Sequence, residues 1–174
     1  HFQKMFVVLL LALLANTTRG QSPLEFQYRD TQFNWPKLGP AAAAGNGLFV
    51  AYNGSHTRVL NASRMPNSSE YASGDMVWEL VNTTESPPNR GKDMEIYPPI
   101  LVSLGNGKIL MYAGGGFSVD AWVFSVLTAQ WTRTSDGPLL YGQIASLGNG
   151  KVLMYGGLSN HTYVFSLSTA QWTK

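Results

Sequence analysis

Three polar side chains recur at the same point of a repeated sequence, and their types suit the binding of a metal or a ligand. His56 and His161 each stand before a threonine and an apolar stretch, and Asp120 takes the corresponding place before Ala121. Imidazole nitrogens and carboxylate oxygens bind metals and accept hydrogen bonds. Because equivalent positions of stacked repeats lie around one face, we expect these three side chains to approach a common mouth. The alternative interpretation is that they are polar loop residues preceding a strand.

The rest of the sequence offers little catalytic chemistry. It contains no Ser-His-Asp spacing, paired-carboxylate cluster or phosphate-binding loop, and its 174 residues include no cysteine. Disulfides, thiolate metal sites and cysteine nucleophiles are therefore excluded. The formal charge of +2 is spread without a basic run, which argues against nucleic-acid binding. We assign no catalytic residue, cofactor or resident metal from the sequence.

One sequence pattern occurs twice in the second half of the chain. The segment Ser103–Tyr112 returns almost unchanged as Ser146–Tyr155, 43 residues later, and Val123–Thr132 returns as Val164–Thr173, 41 residues later. A period in this range predicts a fold built from stacked units. With charged residues at 13%, aromatic residues at 12% and 18 glycines, the composition favours a compact all-β protein with many tight turns.

Each unit reads as four antiparallel strands, which is the blade of a β-propeller. Asn-Gly pairs between apolar runs predict the first hairpin, and Val152–Tyr155 is continuously apolar, so we expect that strand to be buried on both faces. The units span 40–81, 98–134 and 141–174, and 25–37 matches only the end of a preceding unit. An insertion, Ala62–Asp75, separates the third and fourth strands of the first unit.

Glycines and tryptophans mark the repeat. Glycines end the second strand of the last two units and let the backbone turn there, and tryptophans near the fourth strands are expected to pack in the core. The residues are Gly114, Gly115, Gly156 and Gly157, with Trp35, Trp78, Trp131 and Trp172.

The N-terminus and the glycosylation triplets predict an exported glycoprotein. Met5–Ala15 is apolar but too short to cross a bilayer of ~30 Å, so residues 1–20 suit a secretory signal peptide. The alternative is a buried apolar strand or helix. Removal of this leader leaves equal numbers of basic and acidic side chains. The Asn-x-Ser/Thr acceptors are Asn53, Asn61, Asn67, Asn82 and Asn160.

The order of these features resembles the kelch repeat. An apolar strand ends in Gly-Gly, an aromatic third strand follows, and a tryptophan comes some fifteen residues later. The resemblance covers roughly Glu25–Lys174 and is clearest in the last two units, whereas the first unit has Asn53-Gly54 in place of the glycine pair. A WD repeat is disfavoured because the chain has no Trp-Asp dipeptide. The resemblance implies a kelch-type β-propeller, of which this chain supplies about three blades and part of another. We expect the chain to be a fragment of that ring, the alternative being a ring that closes between chains.

Kelch propellers serve both as binding platforms and as enzyme scaffolds. We expect a secreted binding module for an extracellular protein or glycan, with Asn53–His56, Phe117–Asp120 and Leu158–His161 forming one rim. The alternative is an extracellular carbohydrate-active enzyme, similar to galactose oxidase or to a sialic-acid mutarotase. The cysteine–tyrosine cofactor of the copper oxidases cannot form from these residues, because the chain has no cysteine.

Overall fold

The computed structural model describes residues 39–64, 78–88, 99–113, 119–138, 142–156 and 161–174. They all belong to one compact unit, Lys37–Lys174. Within these ranges the chain forms twelve β-strands and one short 3₁₀-helix, Ala62–Arg64, and no α-helix. The expected signal peptide (1–20), the partial unit (25–37) and most of the insertion lie outside the described residues.

The described strands form three four-stranded sheets, each a simple antiparallel meander. The first sheet contains β1 (Ala41–Gly45), β2 (Leu48–Tyr52), β3 (Thr57–Asn61) and β4 (Glu79–Val81). The second sheet contains β5 (Ile100–Gly105), β6 (Lys108–Tyr112), β7 (Ala121–Ser125) and β8 (Gln130–Arg133). The third sheet contains β9 (Gln143–Gly148), β10 (Lys151–Tyr155), β11 (Thr162–Ser166) and β12 (Gln171–Thr173). The all-β class is thus confirmed.

An Asn-Gly pair joins the first two strands of every sheet. The two φ values are 51° and 73° in Asn46-Gly47, 51° and 70° in Asn106-Gly107, and 50° and 73° in Asn149-Gly150. Positive φ at both central residues is the type I′ geometry, whose twist matches that of the flanking strands. The hairpins fix which strand faces come to lie together.

The sheets stack face to face in chain order, and the second sheet is covered on both sides. Strand β6 alternates between the two interfaces: Ile109 and Met111 lie in the cluster shared with the first sheet, and Leu110 and Tyr112 in the cluster shared with the third. All four side chains are buried. A continuously apolar strand is what a doubly covered sheet requires.

The expectation that Val152–Tyr155 is buried on both faces is wrong. Val152 and Met154 are fully buried against the second sheet, but Tyr155 on the opposite face is 55% exposed. In the described part of the chain no sheet covers that face of the third sheet. Strand β10 has the sequence of a doubly buried strand and the burial of a half-covered one.

Candidate functional site

His56, Asp120 and His161 each immediately precede the third strand of their sheet, namely β3, β7 and β11. Two of the connections that present them are held by equivalent backbone hydrogen bonds. The amide of Asn53 donates to the carbonyl of His56 at 3.2 Å, and the amide of Ala113 donates to the carbonyl of Asp120 at 3.0 Å. Each sheet is an antiparallel meander, so its third strand begins at the end where β2, β6 or β10 finishes, and we call this end the rim.

A local turn shapes the rim segment of the first sheet. Oδ1 of Asn53 accepts hydrogen bonds from the backbone amides of Ser55 (3.1 Å) and His56 (2.8 Å). Asparagine commonly closes such a turn because its side chain mimics a backbone carbonyl. The imidazole of His56 is exposed at the end of this turn. It is presented to solvent from a backbone that is already ordered.

Asp120 is engaged with a neighbouring cation. Its carboxylate lies 3.6 Å from the guanidinium of Arg133, which also contacts Asp136 at 2.9 Å. The hydrogen bond and charge of Asp136, followed by the charge of Asp120, raise the pKa of Arg133 above its ordinary value. Because Arg133 is exposed, this charge network sits in solvent and contributes orientation more than stability.

His161 is exposed beside an aromatic ring. Its imidazole centroid lies 6.3 Å from that of Tyr163, with the two planes at 76°. Tyr163 is half-buried in the adjoining strand. This pair offers a hydrogen-bonding group next to an apolar ring, a combination suited to an amphipathic ligand. Residues 158–160 of the expected rim segment, and 117–118 of the middle one, lie outside the described residues.

The three rim residues do not form a metal centre in the described part of the chain. No group of three or more histidine, aspartate or glutamate side chains there could hold a metal ion. The rim can offer hydrogen bonds, a carboxylate–guanidinium pair and a ring edge. These groups suit noncovalent recognition.

Three glycosylation acceptors fall within the described residues. Asn53 and Asn61 are half-buried and Asn82 is exposed, whereas Asn67 and Asn160 lie outside. Oδ1 of Asn61 accepts the amide of Ser63 at 3.0 Å, much as Oδ1 of Asn53 holds its own turn. A glycan is attached through Nδ2, so both turn-forming hydrogen bonds are compatible with modification.

The tryptophans expected in the core differ in burial. Trp131 is buried, Trp172 and Trp78 are half-buried, and Trp35 lies outside the described residues. Gly156 has φ 103°, in the region that favours glycine, while Gly114, Gly115 and Gly157 also lie outside.

Sequence reasoning missed the tyrosine on which each interface tryptophan packs. The ring centroids of Trp131 and Tyr52 are 5.5 Å apart, and those of Trp172 and Tyr112 are also 5.5 Å apart. The signal was present, because a tyrosine ends the second strand of every unit, at 52, 112 and 155. Its recurrence marks a residue that bridges one sheet to the next.

No helix of the described residues is both long and apolar enough to cross a bilayer. No protein-family model matches the chain, and no curated protein matches it.

Proposed function

We propose that this chain is part of a kelch-type β-propeller and that its rim recognises an extracellular protein or glycan. The fold supports the proposal because three four-stranded meanders stack face to face in chain order. The observation that carries the functional part is the common register of His56, Asp120 and His161, each directly before a third strand. A ring of such blades would present these side chains together on one surface.

The chemistry of the rim favours recognition over catalysis. It carries exposed imidazoles at His56 and His161, the Asp120–Arg133 ion pair and the ring of Tyr163. Such groups supply directional hydrogen bonds and stacking on rigid elements, which is how binding loops on a β-scaffold gain specificity.

The test is a binding screen of the purified chain against an array of glycans and a panel of extracellular proteins. A triple variant, His56→Ala, Asp120→Ala and His161→Ala, should weaken any hit by roughly tenfold or more, as loss of central contacts does. The matched control is Leu127→Ala with Ser168→Ala, exposed at the opposite end of the strands. Equal loss in both variants, or no hit in the screen, would contradict the proposal.

We further propose that the chain is exported and glycosylated. The leader composition of residues 1–20 and the accessible acceptor Asn82 support this. Expressed with its own leader in animal cells, the chain should accumulate in the medium and lose mass on treatment with an N-glycosidase. Retention inside the cells with no change of mass on that treatment would overturn the export proposal.

A further inference from the structure

The three hairpin asparagines stand in the same local setting. Each lies between two glycines, is exposed to solvent and adopts a φ of 50° or 51°. The carbonyl of the glycine that follows accepts one backbone hydrogen bond of 2.7–2.9 Å in every hairpin, from Ala62, Val126 or Leu167. A difference in reactivity between these asparagines must therefore come from what surrounds the hairpins.

The surroundings differ at the backbone nitrogen of the glycine. The N–H of Gly107 donates to the carbonyl of Ala44 at 3.1 Å, and the N–H of Gly150 donates to the carbonyl of Leu104 at 2.9 Å. Gly107 is half-buried and Gly150 is buried. Gly47 is exposed, and within the described part of the chain its N–H donates no hydrogen bond. The first hairpin is thus the one that leaves this nitrogen open to solvent.

That nitrogen is the nucleophile of asparagine deamidation. Solvent base removes its proton, the nitrogen bonds to Cγ of the asparagine, and the bond from Cγ to Nδ2 breaks so that ammonia leaves. Water then opens the resulting succinimide to aspartate or isoaspartate, with no change of oxidation state. Glycine offers no side chain to hinder the attack. A nitrogen whose proton is already donated to a buried carbonyl reacts only when that contact opens.

The fourth Asn-Gly pair of the chain, Asn53-Gly54, is restrained in another way. Gly54 is buried, and Oδ1 of Asn53 is fixed by the amides of Ser55 and His56. The carboxamide is therefore held in place, and solvent base has poor access to the glycine nitrogen. We expect Asn53 to react slowly in the folded protein.

We propose that Asn46 is a site of spontaneous deamidation, and that the hydrogen bonds between sheets protect Asn106 and Asn149 from the same reaction. The product carries a carboxylate at the end of the first sheet opposite the rim. Where isoaspartate forms, the main chain of the hairpin also becomes one methylene longer. This inference does not depend on ligand binding at the rim or on export.

The experiment incubates the purified 174-residue chain in mildly alkaline buffer and measures the amide lost at each hairpin by peptide mass spectrometry. Asn46 should deamidate roughly tenfold or more faster than Asn106 and Asn149 in the folded protein. In urea above the unfolding transition the three rates should become similar, because each asparagine lies between two glycines. Similar rates in the folded protein would overturn the inference. So would a preference for Asn46 that persists in urea, since local sequence would then be its cause.

A variant at the second interface tests the source of the protection. Trp172→Ala removes the ring that packs on Tyr112 at 5.5 Å, and it should raise the rate at Asn149 without changing the rate at Asn46. Leu127→Ala is the control, because that leucine is 94% exposed in a turn, and it should change neither rate. An unchanged rate at Asn149 in Trp172→Ala would contradict protection by the neighbouring sheet.

Discussion

An indole hydrogen bond crosses the first interface between sheets, and its counterpart is missing at the second. Nε1 of Trp131 donates to Oγ1 of Thr57 in a buried setting. At the second interface Ala121 stands where Thr57 stands at the first, and Nε1 of Trp172 is buried without an acceptor among the described residues. The aromatic packing is conserved between the two interfaces while the polar contact is not.

Removing the threonine hydroxyl that accepts this hydrogen bond should therefore lower the free energy of unfolding at only one position of the repeat. Thr57→Val keeps the shape and leaves a buried donor unpaired, which should lower the free energy of unfolding by about 1–3 kcal/mol. The matched control is Thr162→Val at the equivalent, exposed position, expected to change it by no more than about 0.5 kcal/mol. Urea unfolding followed by tryptophan fluorescence measures both. Equal effects would show that the indole bond contributes nothing.

At the rim, the sequence predicted a shared register but not the neighbours of each side chain. The position of Asp120 before a third strand follows from the repeat alone. Its pairing with Arg133 follows from the β7–β8 register, in which Trp122 lies opposite Arg133. That register depends on the turn between the strands, where Ala129 adopts φ 55°. No residue type in that turn indicates a positive φ, so the ion pair could not be predicted from the sequence.

Among the elements, the hairpins were the easiest to predict. An Asn-Gly pair between two apolar runs admits few backbone solutions, because both residues must adopt positive φ in a two-residue turn. The three pairs form the same turn despite differences in the strands around them. Local chemistry was sufficient here, and no tertiary information was needed.

Alanine substitution of the glycine in two of these turns should destabilise the protein to different extents. At Gly107 (φ 70°) an added Cβ meets only Val126 at 3.9 Å, so the cost is the backbone strain of about 1–2 kcal/mol. At Gly150 (φ 73°) the added Cβ meets the Cβ of Leu167 at 3.0 Å. Gly150→Ala should therefore reduce the urea midpoint more than Gly107→Ala. The reverse order would show that side-chain contact at the hairpin does not matter.

Strands β6 and β10 show where element prediction fails. Lys-Ile-Leu-Met-Tyr and Lys-Val-Leu-Met-Tyr are nearly the same sequence, yet only β6 is covered on both faces. Burial of the second face depends on whether another sheet lies against it. That is a property of the assembly of elements, and no pattern within the strand encodes it.

At the scale of the stacked sheets, stacking accounts for the core of the described residues. The two clusters found there are the two interfaces, and the second sheet contributes opposite faces of the same strands to each. The repeat in the sequence predicted stacked units because units with apolar faces must cover one another. The sequence left open which faces remain uncovered in the described structure.

Stacking of the sheets, and not the local sequence, determines how much each repeat residue contributes to stability. Leu104 and Leu147 occupy the same position in the two copies of the sequence Ser-Leu-Gly-Asn-Gly-Lys, but Leu104 is 0% exposed and Leu147 is 53% exposed. The decisive measurement is the free energy of unfolding of Leu104→Ala and Leu147→Ala in urea. Leu104→Ala should lower the free energy of unfolding by about 2–5 kcal/mol, as truncation of a buried leucine does. Leu147→Ala should lower it by less than about 1 kcal/mol. Equal losses at the two positions would contradict the stacked arrangement.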